Sequence, residues 1–381
     1  MELNDRIHLA YCTNIHRGES WAETFAGLRD HTLRVKRRIC ADQPYAIGLR
    51  LGYEAAQELR HGEGVLDGFR RWMDEHGCYV FTINGFPYGR FHGGRVKEQV
   101  YVPDWAASER LDYTNLLFDL LAEMIPAGIE GSVSTLPGSF KEFDSDVRLI
   151  ARNLKACAEH IEALSEKRGQ GFHLGLEPEP LGLFENTDET VQFFEDHLAD
   201  EGVRQFVGVN YDTCHLAIEY EDPREALQRL VEAGIRISKL HLSSALALAP
   251  STAGLARLEE FQEDTYLHQV IIRDSDGPLR RYRDLPDALA LPASQRGDEW
   301  RVHFHIPLHS EPEEVFDTTS DHLLGVLDVL AEDRALCQHL EMETYTWEVM
   351  PQALHSADVV DQLEREYRWC LGELRERGLA P

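Results

Sequence analysis

The sequence predicts an α/β protein whose eight parallel strands close into a (β/α)₈ TIM barrel. Short β-like runs alternate with amphipathic helical stretches along almost the whole chain of 381 residues, and this alternation favours a parallel sheet. No GxGxxG or GxxxxGK[ST] loop follows the early strands, which disfavours the alternative, an open nucleotide-binding sheet. The length suits one barrel with insertions, so we predict a single domain over residues 1–381.

The barrel strands are assigned to β-like runs separated by helical segments. In chain order these runs are Ile7 to His16, Ala46 to Leu51, Cys78 to Asn84, Gly128 to Leu136, Phe172 to Glu179, Phe206 to Asp212, Ile235 to Ser243 and Cys337 to Tyr345. The helices are recognised by apolar residues at three- and four-residue steps and by capping residues. Their expected ranges are Ser20 to Ala41, Tyr53 to Glu75, Ser108 to Met124, Val147 to Leu164, the segments after Asn186 and Asp222, Ser320 to Ala331 and Asp358 to Arg377.

The regular alternation of strands and helices is interrupted between the seventh and the last predicted strand. Tyr266 to Ile272 and Leu279 to Arg283 are β-like runs around a turn, which predicts a β-hairpin, and Trp300 to Leu308 is a further extended run. Because eight strands already close a barrel, we interpret residues 244–308 as an elaborated insertion over its mouth, before the last strand.

Bulk properties disfavour several classes of protein. The net charge of −29 repels phosphate backbones, so we expect no nucleic-acid partner. No run approaches the roughly 20 apolar residues of a membrane span, and the start of the chain lacks the pattern of a signal peptide, so we expect a cytoplasmic protein. The seven cysteines are widely spaced without a CxxC pair, which argues against disulfides and cysteine-based zinc sites.

Four predicted strand ends carry side chains that divalent cations bind. Glu177 lies at the end of the fifth strand, Asp212 at the end of the sixth, His241 in the seventh, and Glu341 and Glu343 in the last. In a parallel barrel these ends are neighbours on one rim. Burying unpaired carboxylates is costly, and a bound dication removes that cost. A mixed oxygen and nitrogen set suits one Mn²⁺, Zn²⁺, Co²⁺ or Fe²⁺ ion.

Each of these side chains also has a purely structural interpretation. Glu177 could pair with an arginine, Asp212 could cap a turn, and His241 could be a hydrogen-bonded core histidine. His303 and His305, which share a face of the surplus strand, could also be structural. The occurrence of suitable groups at four strand ends in sequence order is what favours a metal site.

These strand ends resemble those of the xylose isomerase-like TIM-barrel superfamily, which includes sugar isomerases, epimerases and endonuclease-IV-like proteins. The resemblance rests on Leu176-Glu177-Pro178, Asp212-Thr213-Cys214-His215, Leu240-His241-Leu242 and the Glu-bearing last strand. It implies that the metal ligands are Glu177, Asp212, His241 and Glu343, with Glu341 as the alternative to Glu343. It also implies substrate or metal contacts from His215 and His305.

Three further peptides resemble the EboE-like metabolite-traffic proteins within this superfamily. They are Tyr11-Cys12-Thr13-Asn14-Ile15-His16, Thr82-Ile83-Asn84-Gly85-Phe86-Pro87-Tyr88-Gly89 and Glu343-Thr344-Tyr345-Thr346-Trp347. This resemblance implies traffic of a secondary-metabolite precursor and a membrane prenyltransferase-like partner encoded in the same operon.

Three functions of different classes remain open on these grounds. The first is metal-dependent isomerisation or epimerisation of a small metabolite through an enediolate, with Glu177 and Glu343 exchanging protons with the substrate carbon. The residues expected to line its pocket are His16, Asn84, Tyr88, His92, His215 and His305. The second is a non-catalytic protein that binds a small metabolite and escorts it to a membrane partner. The third is metal-dependent phosphodiester hydrolysis, which the net charge disfavours.

Overall fold

Eight parallel strands form a nearly closed barrel in the computed structural model of this protein, which describes residues 1–275, 277–351, 356 and 358–381. In chain order the strands are β1 (His8–Tyr11), β2 (Tyr45–Arg50), β3 (Cys78–Asn84), β4 (Gly131–Thr135), β5 (Phe172–Leu176), β6 (Val207–Asp212), β7 (Ile237–Leu242), β8 (Ala245–Leu248), β9 (Val270–Arg273), β10 (Arg280–Tyr282), β11 (Glu299–His305), β12 (Asp317–Thr318) and β13 (His339–Met342). Strands β1 to β7 and β13 build the barrel, which confirms the predicted fold class.

The barrel sheet runs β2-β3-β4-β5-β6-β7-β13-β1 with parallel neighbours throughout. A parallel bridge between Cys12 and Gly48 joins the two ends of this order. Every residue of the eight strands is buried, as expected where helices cover the outer face of a parallel sheet and side chains fill its interior.

Helices alternate with these strands along the chain. Their bounds are α1 (Trp21–Gly27), α2 (Leu33–Ile39), α3 (Tyr53–His61), α4 (Val65–His76), α5 (Ser108–Met124), α6 (Val147–Arg168), α7 (Thr187–His197), α8 (Glu201–Arg204), α9 (Thr213–Ile218), α10 (Pro223–Glu232), α11 (Thr252–Leu258), α12 (Leu285–Leu289), α13 (Ser320–Glu332) and α14 (Val359–Glu376). Within the described ranges, no helix has the length and apolar character needed to cross a membrane.

Two long predicted helices are interrupted. A π-helical turn at Leu28–Thr32 separates α1 from α2. The predicted helix from Tyr53 to Glu75 is split into α3 and α4: Gly62, which follows α3, is extended, with φ −66° and ψ 130°, and Gly64, which precedes α4, adopts a left-handed φ of 67° that glycine tolerates. The stretch His61-Gly62-Glu63-Gly64 has no apolar side chain, and its two glycines were the sequence signal for the second interruption.

The region before the last barrel strand forms a second, antiparallel sheet in the order β10-β9-β11-β8-β12. Strands β9 and β10 pair as neighbours, with Ile271 opposite Arg281. Residue 276, which the sequence predicts to lie in the turn of a hairpin, lies outside the described residues. The sheet extends past residue 308, since β12 also pairs with β8. Trp300 and Phe304 of β11 are buried in an apolar cluster that belongs to this sheet.

Candidate metal centre

Neighbouring strands align the candidate ligands at one end of the barrel. The register of β6, β7 and β13 places Asp212 beside His241, and His241 beside Glu341. Glu177 and Glu343 are the first residues after β5 and β13. One ligand atom from each of four side chains lies within 4.8 Å of the others, and all four side chains are buried. These four are Glu177, Asp212, His241 and Glu343.

The His241 ring is oriented with one nitrogen towards this cluster. Its Nδ1 lies 3.1 Å from Glu177 Oε1, 3.3 Å from Glu343 Oε2 and 3.6 Å from Asp212 Oδ2. Its Nε2 lies 2.8 Å from Glu341 Oε2 on the other side of the ring. Because the Glu341 carboxylate accepts the Nε2 proton, the Nδ1 lone pair of the neutral ring is directed at the three other carboxylates, and Asn210 Nδ2 lies 3.1 Å from the same nitrogen.

Glu341 occupies a different environment from Glu343. Its Oε2 accepts a hydrogen bond from Lys239 Nζ at 2.6 Å, and neither side chain of this pair is exposed. Burial alone would raise the pKa of Glu341, but Lys239 and His241 outweigh it and lower the pKa to about 2. Glu341 is therefore a charged partner of His241 behind the cluster, whereas the Glu343 carboxylate lies within it.

Asp212 performs the capping role that the sequence left open and keeps one oxygen free. Its Oδ1 accepts from the backbone N–H groups of Cys214 and His215 at 2.7 and 3.1 Å, which caps α9, and from Ser243 Oγ at 2.6 Å. Its Oδ2 is buried without a hydrogen-bond partner among the described residues. Burial favours a neutral acid here, but the His215 and His241 rings outweigh it and hold the pKa of Asp212 well below its usual range.

Two asparagine side chains fix the carboxylate of Glu343. Asn14 Nδ2 donates to Glu343 Oε1 at 2.8 Å, and Asn84 Nδ2 donates to the same oxygen at 3.0 Å. This leaves Glu343 Oε2 facing His241. Glu177 Oε2, like Asp212 Oδ2, is buried with no hydrogen-bond partner in the described part of the chain.

The cluster fits a divalent cation. Two buried carboxylate oxygens without hydrogen-bond partners lie in one cluster with His241 Nδ1, and buried carboxylates are strongly destabilised unless a positive charge joins them. Burial opposes protonation of His241, but Glu343 and Glu177 raise its pKa well above the usual value. A proton on His241 would balance one of the three carboxylates around it, whereas a dication balances two. The donor set of carboxylate oxygens and one imidazole nitrogen suits Mn²⁺, Co²⁺, Zn²⁺ or Fe²⁺.

A narrow cavity of about 60 Å³ opens beside the cluster, enough to hold a few water molecules. Its walls come from the barrel strand ends, from the loop between β3 and α5, and from the inserted region before the last barrel strand. Among the predicted site residues, Asn84, Glu177, His215 and Glu343 line it. His305 is fully buried next to it, with its Nε2 3.3 Å from that of His215.

The other predicted pocket residues lie elsewhere. His16 and His92 line a separate cavity, where the Tyr11 hydroxyl contacts His16 Nε2 at 2.8 Å. His92 Nε2 lies 2.6 Å from the backbone oxygen of Asn14 and so supports the loop that holds Glu343. Tyr88 stacks on Tyr53 with ring centroids 4.7 Å apart. Substrate contact by these three residues stays a prediction.

Several residues of the site were not among the predicted ones. Lys239 precedes the predicted ligand His241 by two positions in a strand, and the two-residue period of a strand was a signal that could have found it. His303, which the sequence places on one face with His305 and leaves between a structural and a functional role, lines the cavity. Asn14 lies in a short 3₁₀ turn, Thr13–Ile15, and Gln269 lies in the loop just before β9. Their placement depends on tertiary contacts that periodicity does not report.

Comparison with known proteins agrees with the fold. The sequence matches no protein-family model and no curated protein. An L-ribulose 3-epimerase aligns with a TM-score of 0.51 at 12% identity, over 97% of this chain and 95% of that chain. The IOLI protein with a binding zinc atom aligns with a TM-score of 0.51 at 11% identity, over 97% and 98% of the two chains.

A third solved structure, a xylose isomerase-like TIM-barrel protein from Mycobacterium smegmatis in complex with magnesium, aligns with a TM-score of 0.53 at 13% identity, over 99% of each chain. The fold is a xylose isomerase-like TIM barrel. At these sequence identities, similarity to the three solved structures establishes the fold alone. The chemistry has to be argued from the residues of the site.

Proposed function

We propose that this protein is a metal-dependent isomerase or epimerase of a small polyol or keto compound. The observation that carries the proposal is the buried convergence of Glu177, Asp212, His241 and Glu343 within 4.8 Å of one another. These four residues would hold one divalent cation, with Glu341 orienting His241 from behind. A cation there would bind the carbonyl and hydroxyl oxygens of adjacent substrate carbons and so acidify the carbon next to the carbonyl.

The residues around the cluster supply the remaining functions. Glu177 and Glu343 both line the cavity, and they are the two carboxylates that we assign to removing a proton from a substrate carbon and returning it. Asn14 and Asn84 keep the Glu343 carboxylate in place through its Oε1. The small volume of the cavity and its walls from the inserted region favour a reaction in which bulk water is kept from the reacting carbon.

The solved structures of similar fold support this choice of reaction class. They include proteins described as an L-ribulose 3-epimerase and a D-tagatose 3-epimerase-like protein, each with a TM-score of 0.51. Others of the same fold hold zinc or magnesium. The net charge of −29 continues to disfavour phosphodiester hydrolysis on nucleic acids.

The metal assignment is tested with the double variant Glu177→Gln/Asp212→Asn. The substitution removes two of the three carboxylates around His241 without changing side-chain size, so we expect it to bind one metal equivalent fewer than the wild type by elemental analysis. Glu366→Gln, a carboxyl-to-amide change at another fully buried position, is the matched control and should retain the wild-type content. Full metal retention in the double variant would refute the ligand assignment.

The reaction itself is tested by solvent exchange. Metal-loaded protein is incubated in D₂O with a panel of ketoses and keto acids, and deuterium at the carbon next to the carbonyl is followed by NMR. We expect incorporation by the wild type and at least a hundredfold slower incorporation by Glu343→Gln. Incorporation at equal rates by both proteins would show that Glu343 does not handle the proton.

A metabolite-escort role is the second candidate, and one observation favours it. The three EboE-like peptides meet at Glu343, because Asn14 and Asn84 both donate to its Oε1. In this alternative, the pocket would hold a secondary-metabolite precursor for a membrane prenyltransferase-like partner. A co-purified apolar or indolic ligand together with no deuterium incorporation into any substrate would decide for escort.

A further inference from the structure

The cavity beside the candidate metal cluster has walls of two chemical kinds. One is polar and comes from residues that follow barrel strands, where Asn14 and Glu179 line the cavity together with Glu177 and Glu343. Asn14 Oδ1 and Glu179 Oε1 are buried without a hydrogen-bond partner among the described residues. A ligand at this polar wall can satisfy both oxygens by donating hydrogen bonds from hydroxyl groups.

The other wall comes from two loop segments that lie against each other. One segment is the loop between β3 and α5, and the other is the stretch between α11 and β9. The backbone N–H groups of Val96 and Lys97 both donate to the Thr265 backbone oxygen at 2.8 Å, which holds the two segments together. We call their contribution the apolar wall; its side chains are Phe86, Pro87, Phe91, Val96, Val100 and Leu267.

Polar side chains of the same two segments also reach the cavity, but they are engaged within the protein. The Lys97 ammonium forms a buried ion pair with the Asp284 carboxylate. The Tyr266 hydroxyl lies 2.8 Å from His92 Nδ1. Both ends of the Gln269 amide are hydrogen-bonded, at 2.7 and 2.9 Å. These groups support the wall and are not free to bind a ligand hydroxyl.

The apolar wall therefore discriminates between two kinds of substrate chain. A polyol chain carries a hydroxyl group on every carbon, and hydroxyls placed against this wall give up their hydrogen bonds to water without replacement, which is unfavourable. An alkyl chain loses nothing there and gains from the burial of its apolar surface.

The size of the cavity sets a second condition. Its volume of about 60 Å³ admits only a short chain. Aromatic rings close it on one side, since the ring centroids of Phe91 and Tyr266 are 5.2 Å apart and those of Phe91 and Tyr345 are 5.3 Å apart. A long or bulky substituent does not fit between the polar wall and these rings.

We propose that the substrate is a short α-hydroxy ketone with its two oxygens at one end and an alkyl group at the other, rather than a polyhydroxylated sugar. This inference rests on the proposed function, in which the metal holds the carbonyl and hydroxyl oxygens. The alkyl end then lies against Val96, Val100 and Leu267, and the hydroxyl end against Asn14 and Glu179.

Binding of two unreactive alcohols tests this preference without relying on catalysis. 1,2-Butanediol and erythritol have the same number of carbons and share a terminal pair of adjacent hydroxyls, and neither has a carbonyl group. Both are titrated into Zn²⁺-loaded and metal-stripped protein, and saturation-transfer NMR gives the dissociation constants. We expect 1,2-butanediol to bind roughly tenfold or more tightly in both forms, because the two additional hydroxyls of erythritol meet the apolar wall.

Variants of the apolar wall locate the preference. Leu267→Asn puts an amide of similar size into the wall, so the preference for 1,2-butanediol should fall by roughly threefold or more. Leu255→Asn is the matched control, since Leu255 is as buried as Leu267, at 6% exposed, and does not line the cavity. Melting curves establish that the variants are folded, and Val96→Thr, a nearly isosteric change in the same wall, replaces Leu267→Asn if that variant is unfolded.

The outcomes separate this inference from the proposed function. Equal or tighter binding of erythritol, binding of neither alcohol, or a preference that wall variants leave unchanged would overturn the inference. Deuterium incorporation into erythrulose at least as fast as into 1-hydroxy-2-butanone would also overturn it, while the proposed reaction stands. A preserved preference for 1,2-butanediol without deuterium incorporation into any substrate would instead refute the reaction and leave the ligand class in place.

Discussion

Lys239 and Glu341 are the residues that set the charge and the orientation of His241. The ammonium and carboxylate groups form a fully buried pair at 2.6 Å, and Glu341 Oε2 also contacts His241 Nε2. A buried ion pair adds little net stability when it is complete, but removing one partner leaves an uncompensated charge in a low-dielectric interior.

Replacing Lys239 is therefore expected to be costly. Lys239→Met should reduce the free energy of unfolding by about 3–5 kcal/mol, since Glu341 stays buried without its cation. The double variant Lys239→Met/Glu341→Gln should recover a large part of this loss because no charge remains. Both are measured by urea denaturation. A loss below about 1 kcal/mol for Lys239→Met, as for a surface pair, would contradict this role.

A variant of Glu341 tests whether this buried carboxylate orients His241 for metal binding. Glu341→Gln removes the charged acceptor of the His241 Nε2 proton. We therefore expect the metal affinity of the cluster formed by Glu177, Asp212, His241 and Glu343 to fall by roughly 10- to 100-fold. Competition with a chelator of known affinity measures the change. Unaltered affinity would show that Glu341 does not orient the ligand.

Much of the candidate site could be predicted from individual residues of the sequence, since the predicted ligands lie at strand ends that meet in space. The sequence left Glu341 and Glu343 as alternatives because residues two apart in a strand share a face. Lys239, two positions before His241, distinguishes them, but which of the two glutamates it pairs with depends on the register of β7 and β13. Asn14 lies in a turn of 3₁₀ helix, where no periodicity indicates the direction of its side chain.

Helix α14 is anchored by a buried carboxyl group. Glu366 Oε1 accepts from the Leu308 backbone N–H at 3.2 Å and from Thr344 Oγ1 at 2.8 Å, which connects α14 to the segment after β11 and to the segment after β13. Burial raises the pKa of Glu366 to about 7. The folded protein therefore binds this proton more tightly than the unfolded chain, in which the pKa lies near 4.5.

A folded-state pKa above the unfolded one gives a defined pH dependence. The contribution is fully present below pH 4.5 and is lost as the pH rises through 7, which amounts to on the order of 3 kcal/mol. Glu366→Gln lacks the titrating group, so its stability relative to the wild type should increase by that order between pH 4.5 and 8. Denaturation curves at matched pH values measure this. A constant difference across the range would contradict a raised pKa.

Strands and helices were predicted best where one pattern of apolar residues runs through the whole element. The eight barrel strands and the long helices α5 and α6 have strong apolar patterns, and their positions agree with the structure. The extent of the inserted sheet was harder to predict from the sequence. Strand β12 has only two residues and is defined by its pairing with β8, and a pairing of that length leaves no pattern in the sequence.

The whole molecule carries a net charge of −29, and this charge repels itself in the compact state. Added salt screens interactions beyond about 10 Å at 0.1 M. We therefore expect the melting temperature to rise by several degrees between 0.02 and 0.5 M KCl, where the screening length becomes about fivefold shorter. A melting temperature that stays flat or falls would contradict this.

A variant with a smaller net charge supplies the control. Glu63, Glu75 and Glu159 are exposed, and changing all three to lysine makes the net charge less negative by six without touching the site. Its melting temperature should respond less to salt than that of the wild type. The proteins can be compared by calorimetry in the same KCl series.

The central claim is that side chains from four neighbouring strand ends share one divalent cation. Anomalous scattering from crystals grown with Mn²⁺ tests it most directly. We expect a peak about 2.0–2.3 Å from oxygen or nitrogen atoms of Glu177, Asp212, His241 and Glu343. Refined coordinates with these side chains turned away from one another, and no anomalous peak between them, would contradict the claim.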